Sequence, residues 1–124
     1  MAKKKVLLVD DEESLTKLIK LNLEATGQFE VSIENRGTEA VKAAKAFRPD
    51  VILLDVVMPD MEGSEIAQRL KEDPALRSIP IIFLTATVTA EEVSQAGGTI
   101  GGETFLAKPV NVQQLVDAIV QHVH

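Results

Sequence analysis

Short, continuous apolar runs alternate with amphipathic stretches along the chain, and that alternation restricts the fold more than any other feature of the sequence. Val6 to Val9, Val51 to Leu54 and Ile81 to Leu84 are unbroken apolar runs of strand length, the pattern of strands covered on both faces in a parallel sheet. Phe29, Val31 and Ile33 alternate with Glu30, Ser32 and Glu34, which predicts a strand with one wet face at a sheet edge. A further strand fits Thr104 to Ala107. Helical stripes lie between the strands: Leu15, Leu18, Ile19 and Leu23, then Ala40, Val41, Ala44 and Phe47, then Ile66, Ala67 and Leu70. Thr89-Ala90-Glu91-Glu92 has the form of a capping box that opens a fourth helix, and Asn111 with Gln114 caps a fifth that carries Leu115, Ile119 and Val123. The resulting βα units, within 124 residues, predict one α/β domain over residues 1–124. Its sheet is parallel with helices on both faces, because each crossover needs a helix to bring the chain back.

Composition excludes several classes. No apolar run approaches membrane-spanning length, and Lys3-Lys4-Lys5 precedes a short strand rather than the apolar region of a signal peptide, so the expectation is a cytoplasmic protein with no membrane contact. The chain has no cysteine, so any chemistry uses neither a thiolate ligand nor a thiol nucleophile. A net charge of -6 disfavours nucleic acid as a direct partner. Cations are also unevenly placed: none occurs between Arg77 and Lys108 or after Lys108.

In a parallel α/β sheet, ligands bind beyond the carboxyl ends of the strands. The residues at those ends are Asp10 and Asp11, Asp55, Thr85 and Lys108. Taken singly, Asp10 and Asp11 fit helix caps, Thr85 a turn and Lys108-Pro109 a loop. Glu12 and Glu13 fit the first turn of a helix, where the helix dipole favours acids. Asp55 resists such a reading, since a carboxylate directly after Val-Ile-Leu-Leu needs compensation. Together the three aspartates repel one another unless a cation joins them. Oxygen ligands without His or Cys favour a hard ion, and few protein ligands with retained water suit Mg²⁺. A divalent ion, a lysine and a hydroxyl around a carboxylate are arranged to receive a phosphoryl group, with the carboxylate able to act as nucleophile.

The stretches VLLVDDEE, DVILLDVVMPDMEG, IPIIFLTA and FLAKPV, in that order, resemble the receiver domain of two-component response regulators from Lys4 to about Val123. The resemblance implies a flavodoxin-like (βα)5 fold with strand order 2-1-3-4-5, which belongs to the chemotaxis member of the family. It further implies that Asp55 is the phosphoacceptor and that Asp10, Asp11, Asp55 and the Val57 carbonyl hold Mg²⁺. Thr85 and Lys108 are similar to the residues that contact the phosphoryl oxygens, and Lys108-Pro109 to a cis peptide. Phe105 matches the aromatic switch position coupled to Thr85. The implied partners are a sensor histidine kinase or phosphotransfer protein and a downstream protein target. That target reads the surface formed by the fourth helix, the last parallel strand and the final helix. The implied chemistry is limited to the protein's own aspartyl phosphorylation and dephosphorylation.

The alternative is a receiver-like interaction module that works without phosphorylation. A haloacid-dehalogenase-like phosphatase needs an acid two residues after its nucleophile, where this chain has Val57. A flavin-binding protein suits neither the DDEE stretch nor the lack of Trp and Tyr. Two departures from the family pattern carry expectations. The pairs Gly97-Gly98 and Gly101-Gly102 predict a mobile or unusually bent connection. The output segment offers Glu91, Glu92, Glu103 and Asp117 but no cation besides Lys108, so the expected state is a monomer or a weak phosphorylation-dependent dimer rather than a charged-lattice dimer. His122 and His124 are expected to be solvated at a fraying terminus.

Overall fold

The computed structural model describes residues 3–56, 58–85, 99–100, 103–107 and 111–122, with the backbone only at 99, 100 and 103. Strands β1 (Lys4–Val9), β2 (Phe29–Glu34), β3 (Val51–Asp55), β4 (Ile81–Thr85), β5 (Thr99–Ile100) and β6 (Glu103–Ala107) form one sheet. Helices α1 (Glu13–Ala25), α2 (Ala40–Phe47), α3 (Gly63–Glu72) and α4 (Val112–His122) pack around it, and a single 3-10 turn, Gly37–Glu39, leads into α2. The sheet order is β2-β1-β3-β4-β6-β5. Its five parallel strands, β2-β1-β3-β4-β6, follow the expected 2-1-3-4-5 order when the parallel strands alone are counted along the chain.

The apolar runs are buried for the reason their composition suggests. Val6, Leu8, Val51, Leu53, Ile82 and Leu84 pack with Ile19 and Leu23 of α1 and Leu115 and Ile119 of α4 on one face. Leu7, Val9, Ile52, Leu54 and Phe83 pack with α2 and α3 on the other. Because neighbouring residues of a strand point to opposite faces, a strand covered on both has no position left for a polar side chain. β2 lies at the sheet edge, as its alternation predicts.

Three expectations need correction. Leu18 is not part of the α1 core stripe; it is 54% exposed, as Leu21 is 66% exposed, and the buried residues of that helix are Thr16, Ile19 and Leu23. Positions 16, 19 and 23 share one side of a 3.6-residue helix, and Leu18 falls about 100° away from Ile19. His122 is not a solvated terminal residue: it closes α4, is half-buried, and its Nε2 lies 3.1 Å from Thr104 Oγ1 of β6. The sheet also carries a strand that was not expected. β5 pairs antiparallel with β6, Thr99 opposite Thr104 and Ile100 opposite Glu103. The helix predicted at Thr89 and the four glycines at 97, 98, 101 and 102 lie outside the described residues.

The predicted cap of the last helix is present in both directions. The Gln114 N–H donates to Asn111 Oδ1 at 2.8 Å, and the Asn111 N–H donates to Gln114 Oε1 at 3.1 Å. Asn111→Ala is expected to cost about 1 kcal/mol in urea unfolding, since it leaves the Gln114 N–H without its side-chain acceptor. An unchanged midpoint would show that the box contributes nothing.

Candidate functional site

The parallel registers bring the candidate residues together. Val9 pairs with Leu54, so Asp10 and Asp55 continue the ladder side by side, one residue further along each strand. Asp10, Asp11 and Asp55 each offer a carboxylate oxygen, and these atoms lie within 4.8 Å of one another. Asp10 is fully buried and Asp55 is 5% exposed, while Asp11 is open to solvent. Thr85, at the end of the adjacent strand β4, is 1% exposed. The donors in this cluster are all carboxylate oxygens, which is the set a hard divalent cation takes.

Local hydrogen bonds explain how each strand ends at the site. The Asp10 N–H still donates across the ladder to the Glu34 carbonyl at 3.2 Å. Its carboxylate Oδ1 then accepts the Glu12 N–H at 3.0 Å, turning the chain into α1. Asp10 therefore does act as a turn-forming acid, and it does so while presenting its carboxylate to the cluster. On β3, the Val56 N–H donates to the Leu84 carbonyl at 3.0 Å, extending the ladder one residue past Asp55. The Gly63 N–H donates back to the Val56 carbonyl at 2.8 Å, which closes the connection between β3 and α3 into a loop. Val57, within that loop, lies outside the described residues, and so do Lys108 and Pro109.

Phe105 occupies a defined place relative to Thr85. β4 and β6 pair Phe83 with Phe105 and Thr85 with Ala107. Since side chains two apart share a face, Phe105 stands one row below Thr85, on the side that holds α2 and α3. Its ring stacks on that of Phe83, with centroids 5.1 Å apart and planes 23° from parallel, a geometry that adds to simple burial. A cleft beside the stack, lined by Val56, Ala67, Phe83 and Phe105, opens at the α3 surface.

Two side chains around the site were not singled out from the sequence. Asn35 Nδ2 donates to the Asp10 carbonyl at 2.7 Å and to Thr16 Oγ1 at 3.2 Å. Asp60 accepts the Gly37 N–H at 3.2 Å, the Thr38 N–H at 3.1 Å and the Thr38 hydroxyl at 3.3 Å. Led by the Thr38 amide, these donors hold the Asp60 carboxyl below the ordinary carboxylate range. An Asp directly after Pro59 in a loop is a turn signal, and that was the one hint available. Nothing local marks Asn35.

The surroundings of these residues have close counterparts in known proteins. A family model described as the response regulator receiver domain matches residues 6–120. The polar-differentiation response regulator DivK of Brucella anthropi is 36% identical over 118 residues, which cover 94% of this chain and 93% of DivK. The alkaline phosphatase synthesis transcriptional regulatory protein PhoP of Bacillus subtilis is 36% identical over 113 residues, covering 90% of this chain but only 45% of PhoP. The chain thus spans less than half the length of that regulator. Among solved structures, the chemotaxis protein CheY4 of Vibrio cholerae superposes with a TM-score of 0.82 at 33% identity, over 98% of this chain and 100% of CheY4.

Proposed function

The chain belongs to the receiver domain family of two-component response regulators, and on that premise we propose that Asp55 accepts a phosphoryl group in a Mg²⁺-dependent reaction. The observation that carries the proposal is the convergence of Asp10, Asp11 and Asp55 at the carboxyl ends of β1 and β3, two of them buried. Carboxylates gathered this closely repel one another, and a divalent cation held among them offsets that repulsion, a use that a module indifferent to phosphorylation does not have. Asp10, Asp11 and Asp55 would hold the magnesium ion. Val57 joins them through its carbonyl on the family likeness alone. When bound, the ion neutralises charge that gathers on the transferring group.

The chain's own residues do the rest. An Asp55 carboxylate oxygen attacks the phosphorus of a phosphohistidine or a small acyl phosphate. A P–O bond forms as the P–N or P–O bond to the donor breaks, and the leaving group departs with the electron pair. By family likeness Thr85, at the end of β4, donates its hydroxyl to a phosphoryl oxygen and Lys108 takes the remaining charge. Movement of Thr85 toward the phosphoryl group then changes the packing of Phe105, one row below it. The surface around β6 and α4 changes population as a result.

The same reading covers the wider role. Residues 1–124 act as one receiver domain in the cytoplasm, catalysing only their own phosphorylation and dephosphorylation. They take the group from a sensor histidine kinase or phosphotransfer protein and pass the signal to a downstream protein, as a monomer or a weak dimer. No described helix is long and apolar enough to cross a membrane.

The test is intact mass after incubation with acetyl phosphate, in Mg²⁺ and in chelator. One phosphoryl group added only in the presence of metal is the expected result. Equal labelling in chelator would overturn the metal requirement. No adduct, together with no beryllofluoride binding, would favour the phosphorylation-independent module.

A further inference from the structure

We propose that the connection between β2 and α2, Asn35 to Thr38, is a bracket that fixes the distance between the two loops of the acidic site, with Asn35 and Asp60 as positioning residues for magnesium. This rests on the metal-site reading above. The bracket contributes no ligand of its own. At one end, both amide hydrogens of Asn35 are used: Nδ2 donates to the Asp10 carbonyl at 2.7 Å and to Thr16 Oγ1 at 3.2 Å. The buried Thr16 hydroxyl passes its own hydrogen to the Glu13 carbonyl at 2.9 Å. Asn35 therefore ties β2 to the turn that carries Asp10 and Asp11, at both the strand side and the helix side.

At the other end, the loop that follows Asp55 is held by Asp60. Its carboxylate accepts the amides of Gly37 and Thr38 and the Thr38 hydroxyl at 3.1 to 3.3 Å. Those donors favour the ionised form of Asp60, and a charged acceptor strengthens each bond. The two segments are also in contact without spare room. A Cβ on Gly37 would stand 2.9 Å from Ile66 Cδ1, 3.1 Å from Asp60 Oδ1 and 3.2 Å from Met61 Cβ. With the Gly63 N–H bonded to the Val56 carbonyl, the loop is fixed at its base by its own backbone and at its tip by the bracket.

Two residues apart in sequence, Asn35 and Gly37 thus grip the two sides of one site. The consequence for magnesium is geometric, because that ion demands near-ideal octahedral placement of oxygen ligands. A shift of one loop against the other moves Asp10 and Asp11, on the first, relative to Asp55, from which the chain leads directly into the second. Outer groups of this kind typically contribute 10- to 100-fold to metal affinity.

The test is Mg²⁺ affinity by amide chemical-shift titration, with no phosphodonor present, on wild type, Asn35→Ala, Asp60→Ala, Asp60→Asn and the double alanine variant. Each single alanine change is expected to weaken binding about tenfold or more. Asp60→Asn keeps one acceptor oxygen and is expected to recover part of the loss. If the bracket acts as a unit, the double variant loses less than the product of the two single losses, since freeing one end already lets the loops drift. Asp73→Ala, which breaks the remote Lys45–Asp73 ion pair at 2.9 Å, controls for general destabilisation and is expected to leave Mg²⁺ affinity unchanged. Wild-type affinity in both single alanine variants would overturn the bracket while leaving the metal site standing, and so would equal weakening by Asp73→Ala. Failure of wild type itself to bind Mg²⁺ would overturn the site reading, and the bracket with it.

Discussion

Asn in place of Asp55 is expected to abolish the phosphoryl adduct and to leave a protein that folds more stably in the absence of metal. The first effect follows from nucleophilicity: a carboxamide has the shape of a carboxylate but not its negative oxygen, and its nitrogen lone pair is delocalised. The second follows from crowding. Carboxylates within 4.8 Å repel by about 3 kcal/mol per pair at an effective dielectric of about 20, before neighbouring positive groups offset part of it. Removing one charge relieves two such pairs. Unfolding in chelator should therefore show Asp55→Asn above wild type by about 1 to 2 kcal/mol. Added Mg²⁺ should narrow the gap, because binding to the native state stabilises wild type in proportion to its tighter affinity. Intact mass and a pair of unfolding curves read both effects. An adduct on Asp55→Asn at the wild-type level would place the acceptor elsewhere, and a less stable variant in chelator would mean that the Asp55 charge is already fully compensated.

Gly63→Ala should damage both the fold and the site. Gly63 opens α3, and its N–H closes the loop after Asp55. The requirement here is space rather than backbone conformation. An added Cβ would meet the Asp55 carbonyl oxygen at 2.5 Å and the Val56 Cα at 2.8 Å, both backbone atoms that no rotamer change can move aside. Relief requires the start of α3 to lift away from the end of β3, which carries the candidate acceptor. The expected loss is about 3 kcal/mol, the upper end of the usual overpacking cost, because backbone is the obstacle. Phosphorylation by acetyl phosphate should slow by about tenfold or more even under conditions where the variant is fully folded, since misplacement near 1 Å is enough for larger losses. Stability within 1 kcal/mol of wild type would show that α3 can shift freely, and a normal rate in a destabilised variant would separate the packing role from the site.

Much of this protein was legible because the signals are local. The continuous apolar runs marked β1, β3 and β4, since a strand buried on both faces has no place for polar residues. The alternation from Phe29 to Glu34 marked an edge strand, and β2 lies at an edge. Asn111 and Gln114 marked a helix start that forms with both of its hydrogen bonds. The positions of Asp10, Asp11, Asp55 and Thr85 followed by a general rule about strand ends rather than from any one residue. One missed element left a local trace. Thr99-Ile100 and Glu103-Thr104 are separated by Gly101-Gly102, a two-residue spacing that suits a hairpin, and β5 pairs with β6 across it.

Other features had no local signature. Which apolar residues of α1 face the sheet depends on how the helix lies on it, so Leu18 points outward although Leu15 and Ile19, three before it and one after, pack toward the core. The contact of His122 with Thr104 spans 18 positions, the stack of Phe83 on Phe105 spans 22, and the bonds of Asn35 and Asp60 reach across 25 and 23. The sequence by itself determined the elements, their order and the acids at their ends, because hydrophobic period and strand-end position depend on near neighbours. Only the tertiary structure decided how far apart those acids sit and what holds them there, because a hydrogen bond or a ring contact between distant residues exists only once the elements are docked in register.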